Sequence, residues 1–70
     1  MRRRGGQLKK YLRGYRKQKR LTQKQLSKLS GVSQNYISSF ENGKTIPSMQ
    51  DIIKLANALG IDKNEIEWVL

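Results

Sequence analysis

Residues 22–44 read TQKQLSKLSGVSQNYISSFENGK, and this stretch decides the fold. Thr22 and Ser33 each stand directly before a helical pattern, where a short side-chain oxygen can accept hydrogen bonds from the free amides of the first turn. Gly31 follows the first of these patterns, at a position that needs a left-handed backbone. The stretch therefore predicts two short helices, 23–30 and 34–42, joined by a very short turn.

The same start and stop signals recur on both sides of this stretch. Ser48 and Asp62 are further N-caps, and Asp62 has a glutamate three residues later, as expected for a capping box. Gly43 and Gly60 follow helical patterns in the same way as Gly31. We therefore expect a compact all-α domain of five helices without a strand, with the helices at about 8–20, 23–30, 34–42, 49–59 and 63–69.

The chain divides into a short arm and one domain. Residues 1–7, MRRRGGQ, offer three arginines and two glycines but nothing to anchor a core, so we expect a flexible basic arm before a domain spanning 8–70. Apolar spacing predicts a core made of Leu12, Tyr15, Leu26, Leu29, Val32, Ile37, Phe40, Ile52, Leu55, Ala56, Leu59, Ile61 and Ile66. Gly14 interrupts the first helix at a cost of about 1 kcal/mol relative to alanine, and the sequence gives no reason for it.

Charge is the strongest compositional signal. The chain has 15 basic and 5 acidic residues, and residues 1–40 hold twelve of the basic residues and no acid. Such an asymmetric field is typical of proteins that bind polyanions, a class that includes both nucleic acids and membrane surfaces. A membrane-surface role is disfavoured because the first helix needs its narrow apolar stripe for the core.

Several function classes are excluded by what the sequence lacks. There is no cysteine and no histidine, so thiolate and imidazole metal ligands and the commonest general base are absent. The five carboxylates are scattered, and no nucleophile–base pair can be assembled from them. We expect no enzyme activity, no metal, no cofactor and no small-molecule ligand. Apolar runs are only two or three residues long, so we also expect no membrane span and a cytoplasmic protein.

The third predicted helix has two distinct faces. Ile37 and Phe40 lie on one side, and the opposite side carries amides and hydroxyls from Asn35, Ser38, Ser39 and Asn42, with Gln34 flanking them. Amides and hydroxyls are groups that can pair with base edges. Helices 2 and 3 thus form a predicted helix-turn-helix, whose second helix can enter a DNA major groove.

A set of short motifs between Leu8 and Ile66 carries a family resemblance. The matching pieces are Thr22-Gln23, Leu26, Gly31-Val32-Ser33, Ile37, Phe40-Glu41-Asn42-Gly43-Lys44, Pro47, Leu55-Ala56 and Leu59-Gly60-Ile61. They resemble the lambda-repressor-like family, the phage repressor and Cro type of helix-turn-helix found in XRE-type transcriptional regulators. Gly14 and the polar Lys63 depart from the family pattern.

The resemblance implies specific roles for individual side chains. The implied base-contacting residues are Gln34, Asn35 and Ser39. The implied phosphate-contacting residues are Thr22, Gln23, Asn42 and Lys44. Arg16 and Glu41 resemble the ion pair between helices 1 and 3 of some relatives, which would contribute about 0–1 kcal/mol if it is exposed.

The resemblance also implies a function. It is that of a sequence-specific regulator that binds double-stranded DNA, most simply a repressor that occupies an operator with helix 3 in the major groove. The alternative is a protein-interaction module of the same fold, such as an antitoxin component or a bridging coactivator domain.

Two further expectations concern the ends of the chain. Arg2, Arg3 and Arg4 could follow the DNA into a narrow, A·T-rich minor groove, or could add only diffuse charge. A helix that buries Ile66 would turn Trp68 away by about 200°. We therefore expect Trp68 and Val69 to form the interface of a homodimer that is weak and assembles mainly on DNA. Alternatively, the chain end bends back and Trp68 covers the core.

Overall fold

The structure is a computed structural model that describes residues 10–69. The predicted arm, with Arg2, Arg3 and Arg4, lies outside the described residues. The elements in chain order are β1 (Lys10–Tyr11), α1 (Leu12–Gln18), α2 (Gln23–Ser30), α3 (Gln34–Glu41), α4 (Met49–Leu59), a 3-10 turn (Lys63–Glu65) and β2 (Ile66–Glu67). The first strand pairs in parallel with the second, with Lys10 opposite Ile66 and Tyr11 opposite Glu67.

The predicted helix caps are confirmed. The Thr22 hydroxyl accepts from the backbone N–H of Gln25, and the Gln25 side chain accepts from the backbone N–H of Thr22. Ser33 caps α3 and Ser48 caps α4 in the same manner. Gly31 has φ of 80° at the end of α2, as its place after a helix predicts. These caps determine where α2 and α3 begin and end, and so fix the short turn between them.

The core is shared by the four helices and β2. Its buried members are Leu12, Tyr15, Leu26, Val32, Ile37, Phe40, Leu55, Ala56, Leu59 and Ile66, and Ile61 packs against them from a half-buried position. Ile52 is also half-buried. The prediction that Leu29 belongs to the core is wrong, because its side chain is 61 % exposed. Leu29 lies about 60° round α2 from the fully buried Leu26, beyond the side that α3 and α4 cover.

The prediction of five helices and no strand is wrong. Among residues 10–69 there are four α-helices, and the predicted fifth helix is a single 3-10 turn followed by a strand. The Asp62 capping box forms as expected. The Tyr15 hydroxyl, however, donates a hydrogen bond to the Glu65 carbonyl oxygen at 3.0 Å. The backbone of Ile66 and Glu67 pairs with β1, so these groups are not available to continue a helix.

The extended C-terminal segment also changes the surroundings of Trp68. In a strand, residues two apart share a face, so Trp68 follows Ile66 toward the core. The Trp68 ring is half-buried and meets the Phe40 ring edge-on, at 6.3 Å between centroids. Val69 lies against Gly43. The expectation that Trp68 lies on the outer side of a helix is therefore wrong, and the chain end bends back onto the core.

The first helix is shorter than predicted. It begins at Leu12 because Lys10 and Tyr11 pair with β2 instead of extending the helix. It ends at Gln18, and Arg20 then adopts a left-handed backbone with φ of 60°. Gly14 lies within α1, and a Cβ built on it would meet the Lys10 Cβ at 3.4 Å, an ordinary contact. The packing therefore does not require a glycine at this position.

Candidate nucleic-acid interface

The outer face of α3 is built by anchoring its inner face. Ile37 and Phe40 are buried in the core, so the opposite side of the helix is turned to solvent. Gln34 and Asn35 are both exposed, and neither side chain makes a hydrogen bond within residues 10–69. Ser39 is half-buried one turn later. The three predicted base-contacting side chains therefore belong to one short helix whose inner face is fixed in the core by Ile37 and Phe40.

Tyr36 is a surface residue of α3 that the sequence reasoning missed. Its side chain is 57 % exposed, in the first helical turn beside Gln34 and Asn35. Its ring stacks on Phe40 at 5.9 Å between centroids, with only 6° between the ring planes. The signal was present in the sequence, because aromatic residues four apart on a helix lie on the same face. The stack holds a large planar group, with a hydroxyl at its tip, next to the predicted base-contacting residues.

Three of the predicted phosphate-contacting residues lie at the ends of the helix-turn-helix. Thr22 caps α2 with its hydroxyl oxygen, which accepts from Gln25 at 3.0 Å. Asn42, at the C-terminal end of α3, donates through Nδ2 to the Ser38 hydroxyl at 3.4 Å. Lys44 is exposed, and its backbone N–H donates to the Ser39 carbonyl at 2.9 Å. The loop after α3 is thereby tied to the helix it follows.

The fourth, Gln23, makes a contact that the sequence did not indicate. Its Nε2 donates to Glu41 Oε1 at 3.0 Å, so the first residue of α2 is linked to the last residue of α3. One amide hydrogen remains for another acceptor. The Gln23 side chain therefore links α2 to α3 within the helix-turn-helix.

The predicted ion pair between Arg16 and Glu41 is present, and it is buried. Arg16 donates to Glu41 through Nε at 2.7 Å and Nη2 at 3.1 Å. The Glu41 side chain has 0 % exposure and that of Arg16 has 11 %. Arg16 also donates to the Leu21 carbonyl at 2.8 Å, and the exposed Arg13 approaches Glu41 Oε1 at 3.4 Å. One carboxylate thus joins α1, α2, α3 and the loop between the first two helices.

The pKa of Glu41 reflects this setting. Burial by itself would raise the pKa of the carboxyl group, because burial disfavours the charged form. The hydrogen bonds from Arg16 and Gln23, the positive charge of Arg16 and the hydrogen bond from Arg13 outweigh burial. The pKa of Glu41 is therefore lowered, and the carboxylate is ionised in the folded protein at neutral pH.

The remaining charge pattern favours an anionic partner. Exposed basic side chains lie at the end of α1, in the loop after it and along α2: Lys17, Lys19, Arg20, Lys24 and Lys28. Within residues 10–69 no His, Cys, Asp or Glu side chains group into a potential metal site. Nor is any helix of that part of the chain long and apolar enough to cross a membrane.

Comparison with known proteins places this arrangement in context. The helix-turn-helix family HTH_3 matches residues 12–66. An uncharacterized HTH-type transcriptional regulator, y4dJ of Sinorhizobium fredii, is 41 % identical over 51 residues, which cover 73 % of this chain and 66 % of that protein. The ImmF control region 10 kDa protein of Bacillus phage phi105 is 32 % identical over 63 residues, covering 90 % of this chain and 70 % of that protein.

Two further similarities come from a eukaryotic protein and a crystal structure. Multiprotein-bridging factor 1b of Arabidopsis thaliana is 43 % identical over 54 residues, and this chain spans only 38 % of its length. The restriction-modification controller protein C.AhdI from Aeromonas hydrophila superposes with a TM-score of 0.75 and is 41 % identical. That superposition covers 77 % of this chain and 82 % of C.AhdI.

Proposed function

This chain belongs to the Cro/C1-type helix-turn-helix family and carries the DNA-binding domain of a transcriptional regulator, and we propose that it represses transcription by occupying an operator. In this proposal α3 lies in the major groove and its N-terminal residues contact base edges. The observation that carries the proposal is the pair of uncommitted, exposed amides of Gln34 and Asn35 on a helix anchored by Ile37 and Phe40.

The proposed base contacts follow from the chemistry of the amides. A side-chain amide can donate to adenine N7 and accept from adenine N6, so A·T pairs are the natural targets of Gln34 and Asn35. Ser39 contacts a base one turn further along α3. Thr22, Asn42 and Lys44 contact the phosphate backbone, together with the amide hydrogen of Gln23 that Glu41 does not use.

Two parts of the proposal concern the whole assembly. Arg2, Arg3 and Arg4 enter the minor groove next to the site read by α3. Two chains bind as a homodimer to a pseudo-palindromic operator, with half-site centres about 10 base pairs or 34 Å apart. The association is weak without DNA because so short a chain can bury little surface.

One comparison favours a second function. The similarity to multiprotein-bridging factor 1b supports a protein-interaction module of the same fold, such as a bridging coactivator domain. A salt titration with random duplex DNA separates the two functions. The affinity of a DNA-binding protein for duplex DNA falls linearly with salt concentration on a log–log plot. The affinity of a protein-interaction module for its protein partner changes little with salt.

The central experiment identifies the operator and then removes the base-reading groups. After bound sites are selected from a random duplex library, Gln34→Ala and Asn35→Ala are compared on the selected site and on random DNA. Each substitution should weaken the free energy of binding to the selected site by about 1–3 kcal/mol and leave binding to random DNA almost unchanged. Gln50→Ala, which removes an exposed amide from α4, is the matched control and should bind like wild type. Equal losses on both DNAs would show that neither amide reads bases.

The phosphate contacts are tested by their different signature. Lys44→Ala should weaken binding to all sequences alike and reduce the slope of the log–log salt plot by about one unit. Deletion of residues 2–4 should reduce affinity more for sites with A·T-rich flanks than for sites with G·C-rich flanks. The same reduction on both flanks would mean that the arm supplies diffuse charge only.

A further inference from the structure

A large apolar side chain lies exposed in the basic half of the chain. Of the two leucines of α2, Leu26 is fully buried, whereas Leu29 is 61 % exposed. Leu29 lines an open cavity of about 280 Å³ together with Leu21, Gln25 and Lys28. We call these four side chains the α2 groove. Because an apolar cavity of about 150 Å³ holds a benzene ring, the α2 groove has room for one or two large apolar side chains.

Hydrogen bonds hold the α2 groove in place. The Leu21 carbonyl accepts from the Arg16 guanidinium at 2.8 Å, and the Leu21 N–H donates to the Arg16 carbonyl at 3.0 Å. Leu21 is half-buried and packs against the core. Gln25 is fixed by the two hydrogen bonds that it exchanges with Thr22 in the capping box. A ligand of the α2 groove therefore meets a surface that is already ordered, which lowers the entropy cost of binding.

Charge indicates which ligand fits. Lys28 is itself part of the α2 groove, and Lys24 lies about 40° from it round α2. Arg20 directly precedes Leu21, and all three cationic side chains are exposed. Residues 1–40 contain no acidic residue that could neutralise them. An apolar groove with a cationic rim is complementary to a segment that carries both apolar side chains and carboxylates.

Nucleic acid and lipid fit this surface less well. The α2 groove residues Gln25 and Leu29 lie about 120–160° round the helix from Gln23, the residue of α2 that is proposed to contact phosphate. The sugar-phosphate backbone also offers no large apolar side chain to fill an apolar groove. A bilayer takes up apolar side chains that protrude from a protein surface, whereas Leu21 is half-buried and Leu29 borders a concavity.

We propose that the α2 groove binds an acidic amphipathic helix of a partner protein. Apolar side chains on one face of that helix contact Leu21 and Leu29, and carboxylates beside them pair with the cationic rim. Insertion of an amphipathic helix into an apolar groove is a recurring mode of peptide recognition. The inference goes beyond operator recognition and does not depend on it, because neither α3 nor DNA takes part in the contact.

The probe is a synthetic helical peptide with leucines three and four apart and glutamates on both sides of them. Fluorescence anisotropy measures its binding to the full chain. Two control peptides replace the leucines with alanine or the glutamates with glutamine, and both should bind at least roughly tenfold more weakly. Failure of the probe to bind would overturn the inference. Equal binding of the alanine peptide would also overturn it, because diffuse attraction to a chain of net charge +10 would then suffice.

Matched variants locate the contact. Leu29→Glu and Met49→Glu each add one negative charge, at side chains that are 61 % and 59 % exposed. Leu29→Glu should weaken binding of the probe by roughly tenfold or more beyond any loss in Met49→Glu. Lys28→Gln should weaken it by roughly threefold relative to Lys54→Gln, which removes the same charge from an exposed position on α4. Equal affinities within each pair would overturn the inference.

Three further measurements separate the alternatives. Unfolding in urea should show the wild-type transition in every variant, because all four positions are exposed. Leu29→Glu and Met49→Glu should bind random duplex DNA equally well, and neither should differ on phosphatidylserine vesicles. A loss specific to Leu29→Glu on DNA or on vesicles would overturn the inference by assigning the α2 groove to that ligand. A wild-type chain that binds the probe but selects no DNA sequence would overturn operator recognition alone.

Discussion

Replacing Glu41 with glutamine tests how much the buried ion pair between Arg16 and Glu41 stabilises the domain. The substitution keeps the shape of the side chain and one acceptor oxygen, but removes the negative charge. Arg16 then stays almost buried, with 11 % of its side chain exposed, and has no counter-ion. The Leu21 carbonyl, at 2.8 Å, remains as its neutral partner.

The size of the effect follows from this burial. An exposed ion pair contributes about 0–1 kcal/mol, whereas removing one partner of a buried pair costs about 3–5 kcal/mol. Because the glutamine can still accept one hydrogen bond, we expect Glu41→Gln to lower the free energy of unfolding by about 2–3 kcal/mol. For a domain of this size, that loss lowers the Tm by about 10–20 °C.

Urea unfolding followed by circular dichroism measures the loss, and two variants serve as controls. Arg13→Gln removes an exposed partner that lies 3.4 Å from Glu41, and should cost less than about 0.5 kcal/mol. The double variant Arg16→Met with Glu41→Leu replaces both charges with apolar groups and should recover most of the stability that Glu41→Gln loses. A loss below about 1 kcal/mol in Glu41→Gln would refute the reasoning, since it would mean that solvent screens the pair as it screens a surface pair.

Three further predictions use other features of the structure. Because the pKa of Glu41 is lowered below its ordinary 4.5, its contribution to stability is complete above that pH and is lost as the pH falls through the lower folded value. Urea unfolding between about pH 6 and pH 3 should show this loss, and Glu41→Gln should make the curve flatter. Gly14→Ala should raise the free energy of unfolding by up to about 1 kcal/mol, because alanine favours the helix and the contact with Lys10 is ordinary; a lower Tm would contradict this. Tyr36→Ala should weaken binding to the selected operator by roughly tenfold, because the ring lies in the first turn of α3 beside the proposed base-contacting residues, where it can contact a base edge or a thymine methyl group. Tyr36→Phe retains the ring and separates its contribution from that of the hydroxyl, and wild-type affinity in Tyr36→Ala would remove Tyr36 from the interface.

Local signals predicted the helix-turn-helix correctly. The signals concerned are the caps at Thr22 and Ser33 and the left-handed Gly31. Each depends on only a few neighbouring residues, so each can be recognised from the sequence alone. The apolar spacing that gave Ile37 and Phe40 to the core is local in the same sense. Family membership, too, depends on these motifs.

Contacts between distant parts of the chain account for what the sequence did not reveal. The Asp62 capping box signals a helix start, but pairing with Lys10 and Tyr11 decides that the segment continues as a strand. Whether Leu29 is covered depends on where α3 and α4 lie, which its spacing from Leu26 does not specify. The resemblance paired Glu41 with Arg16, while the burial of that pair and its link to Gln23 depend on three helices meeting at one point.

The pairing of β1 with β2 has a consequence for how the domain folds and opens. It joins Lys10 to Ile66, near opposite ends of the described chain, whereas α2 and α3 contact each other across a turn of three residues. Closing a long loop costs more chain entropy than closing a short one, so the helix-turn-helix can form before the two strands meet. In the native state the two-residue strand pair should be among the first parts to unfold locally. The fully buried Leu26 and Ile37 should remain packed while it does so. Fraying at the ends of this domain therefore leaves its DNA-reading unit folded.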